Sequence, residues 1–155
     1  LWDAICDAGQ EFNIAPGCPN LIERIEGGLL SYGNEMTREN SPLEFGLEKF
    51  CSLDASVDYL GREALQHAAR SGTDREIRGV LFDGGPCPTC AQPWPVHAGA
   101  SQAGQITSAI WSPRLKRNVG LSLMDRAFWD AGQAVTVNCV DGTTRNGEVT
   151  NLPFS

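Results

Sequence analysis

An α+β fold is predicted, a small antiparallel β-barrel or jelly roll preceded by a mostly helical segment, and three observations carry that expectation. Residues 1–74 repeat their apolar positions in helical period, while residues 75–155 break into short alternating runs. Charge changes at the same place: the first stretch holds five basic and thirteen acidic side chains, the second seven and six. Five or six short strands in about 80 residues, separated by glycine-bearing turns, point to a barrel or jelly roll. The boundary is expected near Gly72 to Arg75, giving units of 1–74 and 75–155.

In the first unit, Leu1, Trp2 and Ile5 share one face of a helical turn that Gly9 caps. Opening so directly into a helix, at a leucine, the chain reads as a piece of a longer protein. Pro16-Gly17 marks a turn, and Pro19 suits the first position of a helix, where its missing N–H has no partner to lose. That helix is expected to run to about Ser31, with Leu21, Ile22, Ile25 and Leu29 as its buried stripe and Asn20, Glu23, Arg24 and Gly27 on another side. The Gly27-Gly28 pair costs such a helix roughly 1 kcal/mol per glycine, which implies a close neighbour at the backbone. A second helix is predicted from Gly61 to Ser71, with Leu60, Ala64, Leu65 and Ala68 as a narrow apolar face and Gly72 as its cap.

In the second unit, strands are predicted over Ile77 to Asp83, Gly104 to Trp111, Asn118 to Asp125, Ala134 to Asp141 and Arg145 to Leu152. Turns at Gly84-Gly85, Asp130 to Gly132 and Asp141-Gly142 separate several of them. Alternation through Ala134 to Val140, followed by Asp141-Gly142 and a further strand, is a hairpin signal.

Composition narrows the function classes. The 155 residues are 41% apolar and 20% charged, enough to bury one core. A net charge of −7 argues against a general nucleic-acid binder, which needs a basic footprint. No apolar run approaches the roughly 20 residues that cross a bilayer, and the first residues lack the pattern of a secretion signal. A soluble, cytoplasmic chain is expected, with its six cysteines reduced.

Cys87-Pro88-Thr89-Cys90 has the spacing with which two thiolates share a metal or a disulfide. A structural zinc needs four ligands and only His97 lies near in sequence, while the surrounding Gly84-Gly85-Pro86 and Pro93-Trp94-Pro95 do not form the βαβ setting of a thioredoxin-type motif. A hairpin-loop pair of free thiols is the first expectation, with a labile disulfide and a metal site as alternatives. Trp2, Trp94, Trp111 and Trp129 are scattered through four segments, which favours packing over a carbohydrate platform. Thr107-Ser108 offers hydroxyls either to a ligand or to backbone at a strand end. His67 is expected on an exposed helical face.

Several landmarks occur together. The run Ile22-Glu23-Arg24-Ile25-Glu26-Gly27-Gly28-Leu29-Leu30-Ser31-Tyr32-Gly33-Asn34-Glu35 resembles the helix-to-loop segment of the glycine cleavage T protein (aminomethyltransferase) family. Ser41-Pro42-Leu43-Glu44-Phe45-Gly46-Leu47, Tyr59-Leu60-Gly61-Arg62-Glu63-Ala64-Leu65, Gly104-Gln105-Ile106-Thr107-Ser108, Ser112-Pro113 and Leu152-Pro153-Phe154 follow in the family's order. The resemblance implies the end of a folate-binding catalytic region followed by the family's C-terminal barrel. It also implies tetrahydrofolate as cofactor, a small-molecule one-carbon donor, and a catalytic aspartate in an N-terminal half outside this chain, so that no catalytic residue lies within it. Asn20 and Leu21 stand where aminomethyltransferases carry Arg-Asp, and exchanging a cationic fork and a carboxylate for these changes what binds there. The wording from Pro19 to Glu26 is more similar to the dimethylsulfoniopropionate demethylase-like branch.

On this resemblance Arg24, Glu26 and Tyr32 are the candidate cofactor-binding residues. Arg24 and Glu26 with Glu23 also make an ordinary ion-pair face of a helix, and Tyr32 has the alternative of closing the helix against the core. Transfer of an already activated carbon needs mainly alignment, which agrees with a sequence lacking a G-x-S-x-G motif, a phosphate loop and a metal cluster. The alternatives are an aminomethyltransferase, or a non-catalytic barrel module. The apolar residues among the first 50 exceed what so short a segment buries, so exposed apolar surface and self-association are expected.

Overall fold

The alternating runs after Gly72 pair edge to edge and close on themselves. In the computed structural model, which describes residues 1–14, 20–54 and 57–154, β1 (Arg75–Phe82), β2 (Trp94–Ala98), β3 (Ser101–Ser112), β4 (Arg117–Asp125), β5 (Ala134–Asn138) and β6 (Thr144–Thr150) form a closed barrel in the order β1-β4-β3-β2-β5-β6. Every neighbouring pair is antiparallel. Closure removes the unpaired edges that a short open sheet would expose.

Period-2 alternation sorts the side chains into two buried layers. Val80 and Phe82 of β1, Trp94 and Val96 of β2, Ile106 of β3, Met124 of β4, Val135 and Val137 of β5 and Val149 of β6 form one cluster, the filling of the barrel. Ile77 of β1 and Val119, Leu121 and Leu123 of β4 point the other way and join Ile25, Phe45 and Phe154 in a second cluster. β4 is consequently buried on both faces through Asn118 to Met124. Gly104 and Gly147 mark close approaches: a Cβ at Gly104 would meet Leu123 O at 2.4 Å, and one at Gly147 would meet Leu81 O at 2.6 Å.

β2 was not among the strands expected from the sequence. The register pairs Trp94 with Ile106, Pro95 with Gln105 and Val96 with Gly104 and Val137, so Pro95 is accommodated within a strand beside β3, one residue before pairing with β5 begins. Trp94, one of the tryptophans expected to pack, is buried and meets Phe82 edge to face at 6.4 Å.

The first half is helical but thinner than expected. α1 (Trp2–Gly9), α2 (Leu21–Glu26) and α3 (Arg62–Ser71) are joined by 3-10 turns and loops. The turn expected at Pro16-Gly17 and the helix start at Pro19 lie outside the described residues. Asn20 caps α2, its Oδ1 accepting from the N–H of Ile22 at 2.9 Å. The extension of this helix to Ser31 is corrected: it ends at Glu26, because Gly27 caps it and Gly28 takes a positive φ of 68° against the side chain of Leu152. With the helix shortened, only Ile25 of the expected stripe is buried, while Leu21 and Leu29 are exposed. The apolar face expected on α3 is likewise corrected, since α3 buries no residue and Leu60 and His67 stand in solvent.

Leu1, Trp2, Ile5, Phe12 and Ile14 are exposed, as the excess of apolar residues in this segment requires. Among the described residues no helix is long and apolar enough to cross a membrane.

Candidate functional site

α2 docks on β3 through hydrogen bonds between Arg24 and Ser108 and between Glu26 and Ser112, and each of these charged residues also has an ion-pair partner outside α2. Arg24 and Glu26, two residues apart, face different partners. Arg24 Nη1 donates to Leu29 O at 2.8 Å and to Glu35 Oε2 at 3.1 Å, and its Nη2 donates to Ser108 Oγ at 2.8 Å. The Glu35 side chain is fully buried. It also accepts from the N–H of Ser31 at 2.6 Å and from the Ser108 hydroxyl. Arg24, Glu35 and Ser108 thus tie α2, the following loop and the barrel wall into one knot.

A β-bulge makes this knot geometrically possible. β3 pairs Ile106 with Ser122 and then Ser108 with Leu121, so Thr107 is an extra residue in the ladder. Unbroken alternation would put Ser108 on the same face as Ile106, inside the barrel. The bulge re-aims Ser108 outward, and Thr107 itself donates to Leu121 O at 3.3 Å. Of the two readings of Thr107-Ser108, Thr107 follows the backbone one, while Ser108 bonds the side chains of Arg24 and Glu35.

Glu26 lies on the opposite side of this docking surface. Ser112 Oγ donates to its Oε1 at 2.5 Å, Arg114 Nε donates to its Oε2 at 2.7 Å, and its backbone carbonyl accepts from Phe154 N at 2.9 Å. These donors, Ser112 first and Arg114 next, hold the Glu26 carboxyl below its ordinary value of 4.5. A depressed acid stabilises the fold above its unfolded pKa, and that contribution is lost as pH falls through the folded pKa. The wild type is therefore expected to lose stability below about pH 4.5 more steeply than Glu26→Gln. Denaturant titrations of both forms at stepped pH check this.

An open cleft of about 380 Å³ lies beside the Arg24 knot. Leu21, Arg24 and Ile25 of α2, Asn34 of the following loop, Ser108, Ala109 and Ile110 of β3, and the Cys87-Pro88-Thr89-Cys90 loop surround it. Of the three residues expected at the site, Arg24 lies on this wall. Glu26 and Tyr32 do not line it, and Tyr32 is exposed. Glu35, Ser112 and Arg114 were missed by sequence reasoning, because each acts through a partner between 11 and 88 positions away.

The far wall of the cleft is fastened by two side chains. Asn118, fully buried at the start of β4, accepts from Cys87 N at 2.8 Å and directs its amide N–H groups at the carbonyls of Gly85 and Asp83, 3.1 and 3.2 Å away. Arg145 of β6 donates to Gly85 O at 2.7 Å. Cys87 and Cys90 are free thiols packed against the barrel core near buried Cys139. Burial raises all three, and with the neighbouring Cys87, Cys139 and Glu35 it pushes Cys90 up to about 12. Thiols in that state are poor nucleophiles at neutral pH. Among the described residues no three His, Cys, Asp or Glu side chains are grouped to hold a metal.

Comparison with known proteins agrees with this architecture. The glycine cleavage T-protein C-terminal barrel domain matches residues 75–155, and the GCVT N-terminal domain matches residues 1–55. The chain is 46% identical over 151 residues to the dimethylsulfoniopropionate demethylase DmdA of Ruegeria pomeroyi, covering 95% of this chain and 41% of that protein. It is 32% identical over 158 residues to the aminomethyltransferase of Symbiobacterium thermophilum, covering 99% of this chain and 41% of that protein. The chain thus spans about two fifths of the length of these relatives. The crystal structure of glycine cleavage system aminomethyltransferase T from Bartonella henselae superposes with a TM-score of 0.69 at 19% identity, over 86% of this chain and 37% of that one, a likeness of fold. On the barrel match and the order of its landmarks, the chain belongs to the glycine cleavage T-protein family.

Proposed function

We propose that this chain is the C-terminal part of a tetrahydrofolate-dependent one-carbon transferase, a methyltransferase or demethylase resembling dimethylsulfoniopropionate demethylase. The observation that carries this is the higher identity to the demethylase, 46% against 32% for the Symbiobacterium aminomethyltransferase over a similar span. In this reading residues 1–74 end the folate-binding region and residues 75–155 are its C-terminal barrel. The enzyme is cytoplasmic, and its catalytic half precedes Leu1. An aminomethyltransferase is the second reading, favoured by the several relatives of that name.

The cleft combines an apolar wall with one cation and the Asn34 amide, the mix that orients a flat heterocyclic ligand. Arg24 would hold it from the cleft wall and Tyr32 would reach it from the exposed loop, whereas Glu26, held by Ser112 and Arg114 away from the cleft, would serve by fastening α2 to the barrel. Tetrahydrofolate supplies the N5 amine that receives the one-carbon unit. The protein's part is alignment of donor carbon and acceptor and exclusion of water, worth several kcal/mol of a barrier. The Arg24–Glu35–Ser108 knot keeps α2 fixed on the barrel, so that cleft wall is rigid.

The test is transfer by the protein extended through its N-terminal half: 5-methyltetrahydrofolate formed from dimethylsulfoniopropionate supports the demethylase reading, and turnover of an aminomethyl donor instead supports the second. The 155-residue chain alone is expected to show no measurable transfer, since half a pocket leaves cofactor and donor hydrated and mobile. Turnover by the purified chain would contradict the missing-half reading. The exposed Leu1, Trp2, Ile5, Phe12 and Ile14 are further expected to drive self-association of the isolated chain. Sedimentation across a concentration series checks this, and a strictly monomeric chain would refute it.

A further inference from the structure

The guanidinium of Arg24 carries five N–H donors, and the fold uses three of them. Nη1 spends both of its hydrogens, on Leu29 O and Glu35 Oε2, and Nη2 spends one, on Ser108 Oγ. Because Ser108 also bonds Glu35, these two residues together close the edge between Nη1 and Nη2. Nε–H and the second N–H of Nη2 remain, side by side on the adjoining edge of the planar group. Neither has an acceptor among the described residues.

We propose that this free edge is a carboxylate-binding fork, and that the cleft takes a small molecule bearing a carboxylate on a neutral or apolar body. Two parallel N–H donors match the two oxygens of a carboxylate, a geometry that lysine cannot reproduce. Arg24 keeps 18% of its side chain exposed and lines the cleft, so the fork has access to a ligand. Among the described residues, no Asp or Glu lines that cleft. Glu35, paired with Nη1 on the occupied edge, weakens the pull of the guanidinium on an anion, while the Cys90 thiol, held protonated by burial, adds no charge. Leu21, Ile25 and Ala109 supply the apolar remainder, which suits an uncharged ligand body and disfavours a second charge. This assignment goes beyond the folate reading and does not rest on it.

The experiment is a nuclear magnetic resonance titration of the isotope-labelled chain with propionate, using propionamide and chloride at matched ionic strength as controls. The Arg24 Nε–H resonance is expected to shift saturably with propionate and to stay in place with both controls. Glu35→Gln keeps an oxygen for Arg24 but removes the competing charge, so it is expected to tighten propionate binding, by roughly threefold or more. Arg24→Lys keeps the charge but loses the fork, and is expected to weaken binding roughly tenfold. Should Arg24→Lys fail to fold, the wild-type and Glu35→Gln titrations decide alone. An Nε–H resonance unmoved by propionate, or a Glu35→Gln chain that binds it no more tightly than the wild type, overturns the proposal.

Discussion

Arg24→Ala is expected to destabilise the chain by roughly 3–5 kcal/mol, the cost of leaving a buried charge without its counterion. Glu35 has no exposed side-chain surface, and among the described residues its donors are the Ser31 N–H, the Ser108 hydroxyl and Arg24, of which Arg24 alone is charged. Removing Arg24 leaves the carboxylate with the Ser31 N–H and the Ser108 hydroxyl, which satisfy lone pairs but do not neutralise it. The loss should fall first on the loop from 29 to 36 and on the seating of α2 against β3. Urea denaturation measures the total, and hydrogen exchange at those amides locates it. Adding Glu35→Gln to Arg24→Ala is expected to restore part of the loss, because no unpaired charge then remains. A single-variant loss below about 1 kcal/mol would mean that the pair behaves as a solvated surface bridge.

Asn118→Ala is expected to cost about 2–4 kcal/mol, combining a lost acceptor for a shielded N–H, unsatisfied carbonyls and a small cavity. Asn118 is fully buried and bridges β4 to the turn between β1 and β2. Its removal frees the loop that carries Cys87 and Cys90. In the wild type, burial keeps both thiols protonated, so alkylation by iodoacetamide at neutral pH should be slow. In Asn118→Ala, Cys87 and Cys90 are expected to react several-fold faster while Cys139 changes little. Equal alkylation rates in the two chains would show that Arg145 alone holds the loop.

Much of the fold was legible because its signals are local. The run from Ala134 to Val140 alternates before Asp141-Gly142, and β5 and β6 form that hairpin, although β5 ends at Asn138. Gly72 precedes the first strand by three residues, where period and charge both change. β2 escaped notice because Pro93 just before it and Pro95 within it outweigh its alternation in a local reading. Its strand character comes from β3 on one side and β5 on the other. The same limit explains α2: its apolar spacing continues to Leu29, but Gly28 meets Leu152, a residue no local window contains.

The candidate site was legible only in outline. Arg24 was singled out from its segment, and it does sit in a cleft, but the sequence left open whether it paired along its own helix. Its partner Glu35 lies eleven positions on, in a loop where an acid is ordinarily solvated, so its pairing has no local signal. Ser108 acquires its role from the bulge at Thr107, which shifts side-chain parity by one residue. Ser112 and Arg114 meet Glu26 across more than 80 positions.

By itself the sequence determined the family, the barrel and most of its strands, because alternation, turn glycines and ordered motifs are properties of neighbouring residues. Tertiary structure alone decided which side of Ser108 faces the helix, which acid neutralises Arg24, and which edge of the guanidinium stays free. Those outcomes depend on barrel closure and on the desolvation of charges brought together from distant positions. Neither quantity exists until the chain has folded.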